Sequence, residues 1–116
     1  MKDKTTEDRR MFERVPLKIS LRFLDCYSNK WSLVKTRDIS VRGIGLVTTN
    51  DLAVGTPLEM WLPIPNRGES YYSKGKVAWS REVTPEKYNL GICLDRLDLA
   101  GMSHFIKKEK LLNRNA

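Results

Sequence analysis

The sequence predicts a mainly β domain, a small antiparallel barrel or sandwich of about six short strands followed by one helix. Apolar residues recur at every second position in several stretches, which is typical of half-buried strands. Turn-forming residues separate these stretches at intervals of roughly 8–15 residues. The apolar spacing becomes helical only near the end of the chain. The 116 residues have room for one such domain, since domains usually contain about 100–150 residues.

The first strand is predicted from a period-two alternation of apolar residues: Val15, Leu17, Ile19, Leu21 and Phe23. Pro16 is compatible with the start of a strand or with a sheet edge. Five further strands are predicted at residues 31–38, 43–47, 58–62, 71–82 and 88–94. Closure of these strands into an antiparallel barrel would remove exposed sheet edges.

The two ends of the chain differ from this pattern. Residues 1–14 are dense in charge and lack periodicity, which predicts a flexible N-terminal arm. Residues 15–98 are expected to form the barrel, and residues 99–116 a helix and a tail. Asp98 is suitable as the N-cap of that helix. Apolar residues recur at helical spacing within it: Leu99, Met102, Phe105 or Ile106, and Leu112.

Composition excludes several classes of protein. Hydrophobic residues make up 41% of the chain and charged residues 30%, as in ordinary globular domains. No apolar run approaches the roughly 20 residues of a membrane span, and the N-terminus has no signal core, so we expect a cytoplasmic protein without membrane insertion. Cys26 and Cys93 form no CxxC, and with the single His104 they provide no metal site and no nucleophile pair. Buried free thiols and a non-enzymatic protein are expected.

The formal net charge of +7 favours anionic partners, although a charge of this size also serves solubility. Two short motifs indicate where on the chain an anionic partner would bind. Arg10 and Arg14 form an RxxxR, preceded by Arg9, and residues 38–43 read DxSxxG from Asp38 to Gly43.

These two motifs, in this order, resemble those of the PilZ domain family, bacterial receptors for cyclic di-GMP. The stretches 75–79 and 88–94 are similar to the fifth and sixth strands of that family. The resemblance covers about residues 9–98 and implies a six-stranded antiparallel barrel with no cofactor other than the ligand cyclic di-GMP. It also implies that the ligand contacts six residues: Arg9, Arg10, Arg14, Asp38, Ser40 and Gly43.

The chemistry of these residue types suits that ligand. An arginine fork can meet the O6 and N7 acceptors of guanine, or grip a phosphate with two hydrogen bonds. The carboxylate of Asp38 can accept from the N1–H and N2–H₂ donors of guanine, which adenine does not present in the same way. Ser40 can donate to a phosphate oxygen. Gly43 lacks a Cβ, so a ligand could lie against the strand and unusual dihedral angles are permitted.

Further expectations concern signalling. By resemblance, Arg9 before the RxxxR favours an intercalated pair of ligand molecules, whose four phosphates another guanidinium would help to neutralise. We expect the arm to close over the ligand through Arg10 and Arg14 and so to change the binding of an unidentified protein partner. The C-terminal helix is a candidate partner contact. Family members act on motility, exopolysaccharide production in biofilms, or virulence.

Alternatives remain open from the sequence alone. The arm arginines can be solvated charges, Asp38 and Ser40 can be turn formers, and the glycines can mark bulges. The protein can then be a PilZ-type structural adaptor that binds no nucleotide. A small basic barrel that binds single-stranded nucleic acid is less favoured, because few aromatic residues look surface-facing. The three tryptophans are expected in the core: Trp31, Trp61 and Trp79.

Overall fold

A computed structural model describes residues 14–97 and 99–106 of the chain. It contains seven strands and part of one helix. The strands are β1 (Val15–Pro16), β2 (Ser20–Asp25), β3 (Lys30–Ile39), β4 (Gly43–Thr48), β5 (Pro57–Pro63), β6 (Ser70–Thr84) and β7 (Lys87–Leu94). The helix α1 is described over residues 99–106. The predicted mainly β fold with a C-terminal helix is confirmed. Asp98, most of the predicted arm and the predicted tail lie outside the described residues.

Six of the strands form a closed antiparallel barrel. Their order around the barrel is β3-β2-β5-β6-β7-β4, and a pairing between β4 and β3 completes the ring. The short strand β1 pairs with the last residues of β3, so β3 has three partners. Closure satisfies the backbone groups that an open sheet would leave unpaired at its two edges.

The single strand predicted from residue 15 to 23 is interrupted at residues 17–19. The buried Thr36 of β3 explains the interruption, because its hydroxyl replaces a backbone group in the ladder. This hydroxyl accepts a hydrogen bond from the amide of Ile19 at 2.9 Å and donates one to the carbonyl of Leu17. The alternation of apolar residues continues through the gap, so the sequence pattern does not reveal it.

The longer strands contain three register shifts, one in β3 and two in β6, of which the last lies between Glu82 and Thr84. Between Thr36 and Asp38 the register of β3 against β4 shifts by one residue, which leaves Arg37 as the extra residue. A second shift, between Val77 and Trp79, occurs where β6 pairs with β7. A bulge breaks the strict alternation of side chains, so adjacent residues can point to the same face.

The interior of the barrel is filled by medium-sized apolar side chains and one aromatic ring from β2, Phe23. Helix α1 joins this core through Met102, Phe105 and Ile106, whose spacing places them on one helix face. Phe105 contacts the ring of Tyr71 at 6.1 Å between centroids. Over residues 99–106 these three side chains are used by the barrel itself, whereas Leu99 at the start of α1 is 45% exposed. The helix as a partner contact stays a prediction.

Two expectations about the core are wrong. Trp31 is 55% exposed, and Trp61 and Trp79 are only partly buried, because all three lie at outward-facing positions of their strands. Cys26 and Cys93 are exposed rather than buried. Partial desolvation of this surface thiol and the neighbouring carboxylate of Glu59 raise the pKa of Cys26, so little thiolate forms at neutral pH.

Truncating a side chain should lower the free energy of unfolding much more on the inner face of the barrel than on its outer face. Phe23 is fully buried, whereas Leu33 on the neighbouring strand is 71% exposed. We expect Phe23→Ala to lower the free energy of unfolding by about 3–5 kcal/mol, because it removes a large side chain and leaves a cavity. Leu33→Ala should change it by less than about 0.5 kcal/mol. Urea denaturation measures both, and equal losses would contradict the assignment of inner and outer faces.

Candidate functional site

The candidate site is centred on the carboxylate of Asp38, near the end of β3. Its Oδ1 accepts a hydrogen bond from Nη1 of Arg14 at 2.6 Å, and its Oδ2 accepts one from Nε of Arg37 at 3.0 Å. The side chain of Asp38 is 16% exposed, whereas those of Arg14 and Arg37 are 45% and 34% exposed. A mostly buried carboxylate is therefore held between two guanidinium groups that face solvent.

Arg14 and Asp38 belong to the two different motifs, and they are 24 residues apart in sequence. The pairing of β1 with β3 brings them together, since Val15 lies opposite Ile39 and Pro16 opposite Asp38. Arg14 directly precedes this ladder. Sequence reasoning selected both residues, but it had no means to show that they meet.

Arg37 is a site residue that the sequence analysis did not select. In a regular strand Arg37 and Asp38 would point to opposite faces. The bulge at Arg37 allows both side chains to reach the outer surface, where they contact each other. No composition signal marks this bulge, and the only available indication was the cationic residue beside the motif aspartate.

The remaining motif residues form a tight turn between β3 and β4. The buried hydroxyl of Ser40 accepts hydrogen bonds from the amides of Arg42 and Gly43, each at 3.2 Å, and lies 3.4 Å from the carbonyl of Gly43 as a donor. The backbones of Ser40 and Gly43 also bond to each other in both directions. Through these hydrogen bonds Ser40 acts as a turn former, which is one of the alternatives that the sequence leaves open for it.

The glycine of the motif is required by the barrel wall. A Cβ on Gly43 would lie 2.3 Å from the carbonyl oxygen of Ile92 in β7. Gly43 is not among the described residues with positive φ, so the conformational freedom that glycine permits is not used there. Its absent side chain permits close approach of the β7 backbone. The structure therefore explains Gly43 by strand packing.

A different glycine, Gly45, borders the carboxylate. A Cβ at this position would lie 2.5 Å from Oδ1 of Asp38 and 3.0 Å from a guanidinium nitrogen of Arg37. Gly45 pairs directly with Asp38 across the β3–β4 ladder. The lack of a side chain at Gly45 leaves the space that Asp38 and Arg37 occupy on the outer surface.

An indole ring completes the surface next to the site. The guanidinium of Arg37 lies 5.4 Å from the ring centroid of Trp79, within the range of a cation–π interaction. The ring of Trp79 covers Gly91, where a Cβ would lie only 2.1 Å from its Nε1. The bulge in β6 places Trp79 opposite Gly91. The second half of β3 is thereby bordered by aromatic, cationic and anionic groups.

Arg9 and Arg10, the other two predicted site arginines, lie outside the described residues. Within residues 14–97 and 99–106, no cluster of three or more His, Cys, Asp or Glu could hold a metal ion. Helix α1, over the residues described, is too short to cross a membrane.

The charges at the described site are two guanidiniums and one carboxylate, which leave one net positive charge. Each guanidinium has further N–H donors beyond those bonded to Asp38, and each carboxylate oxygen has a second lone pair. The site can therefore donate to an anion or to ring acceptors, and it can accept from N–H donors. This combination suits a ligand that carries both phosphate and guanine-like edges.

The PilZ domain family matches residues 8–108, nearly the whole chain. The chain belongs to the PilZ domain family. No match was found among curated proteins.

Solved structures with the same fold include PilZ proteins of several bacteria. The PilZ domain of YcgR from Escherichia coli, solved with c-di-GMP, has a TM-score of 0.70 at 12% identity, with 92% of this chain and 95% of that one covered. The Bacillus subtilis inhibitor of motility MotI (DgrA) also has a TM-score of 0.70, at 14% identity, over 92% of this chain. This PilZ domain spans about half (52%) of the MotI chain.

PlzA of Borreliella burgdorferi, solved in complex with c-di-GMP, has a TM-score of 0.59 at 13% identity. The similarity covers 98% of this chain and 55% of PlzA. At these identities the comparisons establish a shared fold.

The two glycines of β4 should respond differently to the same substitution. Gly43→Ala should lower the free energy of unfolding by about 1–3 kcal/mol, because its Cβ meets backbone of β7 that cannot move without opening the barrel. Gly45→Ala should cost less, because the carboxylate of Asp38 can rotate away. Chemical denaturation of the two variants compares these costs. A larger cost for Gly45→Ala would contradict the close packing described at Gly43.

Proposed function

We propose that this PilZ domain is a non-enzymatic receptor for cyclic di-GMP. The observation that carries the proposal is the ion pair between Arg14 and Asp38, through which the RxxxR and DxSxxG motifs meet on the barrel surface. A basic chain produces an RxxxR by chance, but chance does not explain why its second arginine contacts the motif aspartate. The convergence favours a bipartite ligand site over two unrelated sequence features.

In this proposal Asp38 accepts hydrogen bonds from the N1–H and N2–H₂ donors of a guanine. Its two oxygens already point toward Arg14 and Arg37, and their remaining lone pairs are available for such donors. The guanidinium of Arg14, and that of Arg10 in the arm, then meet the O6 and N7 edge of a guanine or grip a phosphate. Arg37 and Trp79, which the sequence analysis did not select, extend the same surface.

The relatives support this ligand class. The E. coli YcgR PilZ domain and B. burgdorferi PlzA were both solved with c-di-GMP. Their folds are shared by this chain, and Asp38, Ser40 and Gly43 keep the spacing of the family motif. A nucleotide-independent adaptor has no need for an ion pair between Arg14 and Asp38. This pair therefore favours a receptor that binds the nucleotide over such an adaptor.

We further propose that residues 1–14 act as an arm that closes over the ligand, that residues 15–98 are the barrel and that residues 99–116 are a helix and tail. Arg14, next to β1, anchors the end of the arm at Asp38. Arg9 and Arg10 would then reach the phosphates from the same arm. Ligand-dependent closure would alter the surface presented to a protein partner.

Arg14→Ala should weaken cyclic di-GMP binding about 30–150-fold, which corresponds to the roughly 2–3 kcal/mol of lost charge-assisted hydrogen bonds. Arg14→Lys should recover only part of this loss, because an ammonium keeps the charge without the planar fork. Isothermal titration calorimetry measures each affinity.

Arg67→Ala is the matched control, since Arg67 lies in the β5–β6 loop and pairs with Glu69. Its affinity should equal that of the unmodified protein. An unchanged affinity in Arg14→Ala, with both variants folded by circular dichroism, would place the ligand elsewhere or exclude it.

Asp38 is expected to set base selectivity. Asp38→Ala should weaken cyclic di-GMP binding and reduce the preference over cyclic di-AMP, because the acceptors for the guanine N–H groups are lost. Asp38→Asn keeps one carbonyl acceptor and should retain more of the preference. Competition titrations with cyclic di-GMP, cyclic di-AMP and GTP give the ratios. A preference for guanine that survives Asp38→Ala would assign guanine recognition to another residue.

Arg9 is expected to support an intercalated pair of ligand molecules. The four phosphates of a pair need more compensating charge than the two of a single ligand, and Arg9 adds a guanidinium to those of Arg10 and Arg14. Calorimetry should give two ligands per chain at saturation, and one after Arg9→Ala. A stoichiometry of one in the unmodified protein would rule out the pair while leaving the receptor function intact.

A further inference from the structure

A row of aromatic side chains crosses the outer face of β3, β2, β5 and β6. The ring centroids of Trp31 and Trp61 are 4.9 Å apart, and those of Trp61 and Tyr72 are 5.0 Å apart. The guanidinium of Arg22 lies 5.5 Å from the ring centroid of Trp31. With Leu33, which pairs with Arg22 across the β2–β3 ladder, these residues form what we call the aromatic ladder.

The aromatic ladder is exposed and is not needed to fill the barrel. Trp31 is 55% exposed, Leu33 71% and Tyr72 41%, while the inner positions of the same strands hold the closely packed core. A shallow cleft of about 200 Å³, widely open to solvent, lies between Arg22, Trp31 and Leu33. Contiguous exposed apolar surface of this kind marks binding sites, and Trp, Tyr and Arg are the residue types that dominate interface energies.

The surroundings of the ladder are cationic. Lys35 follows Leu33 on the outer face of β3, and Lys74 lies two residues from Tyr72 on β6. The nearby acid Glu59 accepts a hydrogen bond from the hydroxyl of Tyr72, which raises the pKa of Tyr72 to about 12 and keeps the phenol protonated. This carboxylate keeps its negative charge and lies opposite Lys74 in the β5–β6 ladder. The positive charges of Arg22 and the two lysines outnumber that single negative charge.

The geometry of the rings decides between classes of partner. Single-stranded nucleic acid binds by stacking bases on open ring faces. Here Trp61 is partly buried between Trp31 and Tyr72 at centroid distances near 5 Å, too close to admit a base, and Arg22 covers part of Trp31. The cleft beside Trp31 instead suits one inserted apolar side chain. A second copy of the ladder would bring like charges together, which disfavours self-association.

We propose that the aromatic ladder is a docking surface for an acidic segment of another protein, in which a leucine or aromatic side chain is flanked by aspartate or glutamate. The apolar side chain enters the cleft beside Trp31, and the flanking carboxylates pair with Arg22 and the neighbouring lysines. The surface uses the first half of β3, strands β2 and β5 and the part of β6 at Tyr72, whereas the candidate nucleotide site uses the second half of β3 with Arg14 before β1, with β4, and with Trp79 farther along β6.

A random 16-residue peptide library displayed on phage tests this directly with the full chain as bait. The recovered peptides should be net negative and should share a leucine or aromatic residue between acids. A recovered peptide, made synthetically, should bind at least about tenfold more weakly to Trp31→Ala and to Arg22→Glu. Leu33→Ala, an exposed truncation that leaves the core intact, keeps the test valid if Trp31→Ala does not fold.

Val54→Ala is the matched control. The side chain of Val54 is about as exposed as that of Leu33, but it lies in the β4–β5 loop away from the ladder. Its peptide affinity should be unchanged. Cyclic di-GMP affinity should be unchanged in the ladder variants, so failure of this proposal is distinguishable from failure of the receptor function.

Several results would overturn the proposal. These are recovery of no peptides, recovery of peptides without acidic bias, or equal binding to all variants. Binding of a fluorescent oligothymidine that is lost in Trp31→Ala would assign the ladder to nucleic acid. A dimer in sedimentation analysis that Trp31→Ala dissociates would assign it to a second copy.

Discussion

Strand β3 is the element on which both the closed barrel and the candidate site depend. It pairs with β2 over its first half, with β4 over its second half and with β1 at its end, and the β3–β4 pairing is the one that closes the ring. The bulge at Arg37 bends β3 in its second half, where it pairs with β4 and then also with β1. The same bulge turns Arg37 and Asp38 to the outer surface together. The β3–β4 pairing that closes the barrel therefore contains the bulge that also exposes the charged groups of the candidate site.

Three glycines show how closely the barrel wall around this bulge is packed. Gly43 gives space to the backbone of β7, Gly45 to the carboxylate of Asp38, and Gly91 to the indole of Trp79. None of the three is among the described residues with positive φ. In each case the missing Cβ serves a close approach, and the atom approached differs: backbone, charged side chain or aromatic ring. The motif glycine thus supports the barrel, while Gly45, outside the motif, shapes the candidate site.

A small barrel has little interior volume, and this limits which side chains it can enclose. Phe23 and aliphatic residues fill the space, and α1 adds three more apolar side chains. The large indole rings remain on the outer face, where they cover glycine or each other. Two surfaces result, the charged one at the end of β3 and the aromatic ladder at its beginning. Because they use different side chains of the same strand, a nucleotide and a protein partner would not compete for the same contacts.

The sequence by itself determined the strand content, the approximate strand positions, the helix and the two motifs, because period-two alternation and turn residues act locally. Tertiary structure decided what local patterns cannot encode. The hydroxyl of Thr36 interrupts the first strand through hydrogen bonds to residues 17 and 19, which are distant in sequence and close only in the folded structure. The bulge at Arg37 depends on the register between β3 and β4. The outward position of the tryptophans follows from which face of each strand the closed barrel buries. The meeting of Arg14 with Asp38 is set by the β1–β3 ladder, since residues so distant in sequence approach only through strand pairing.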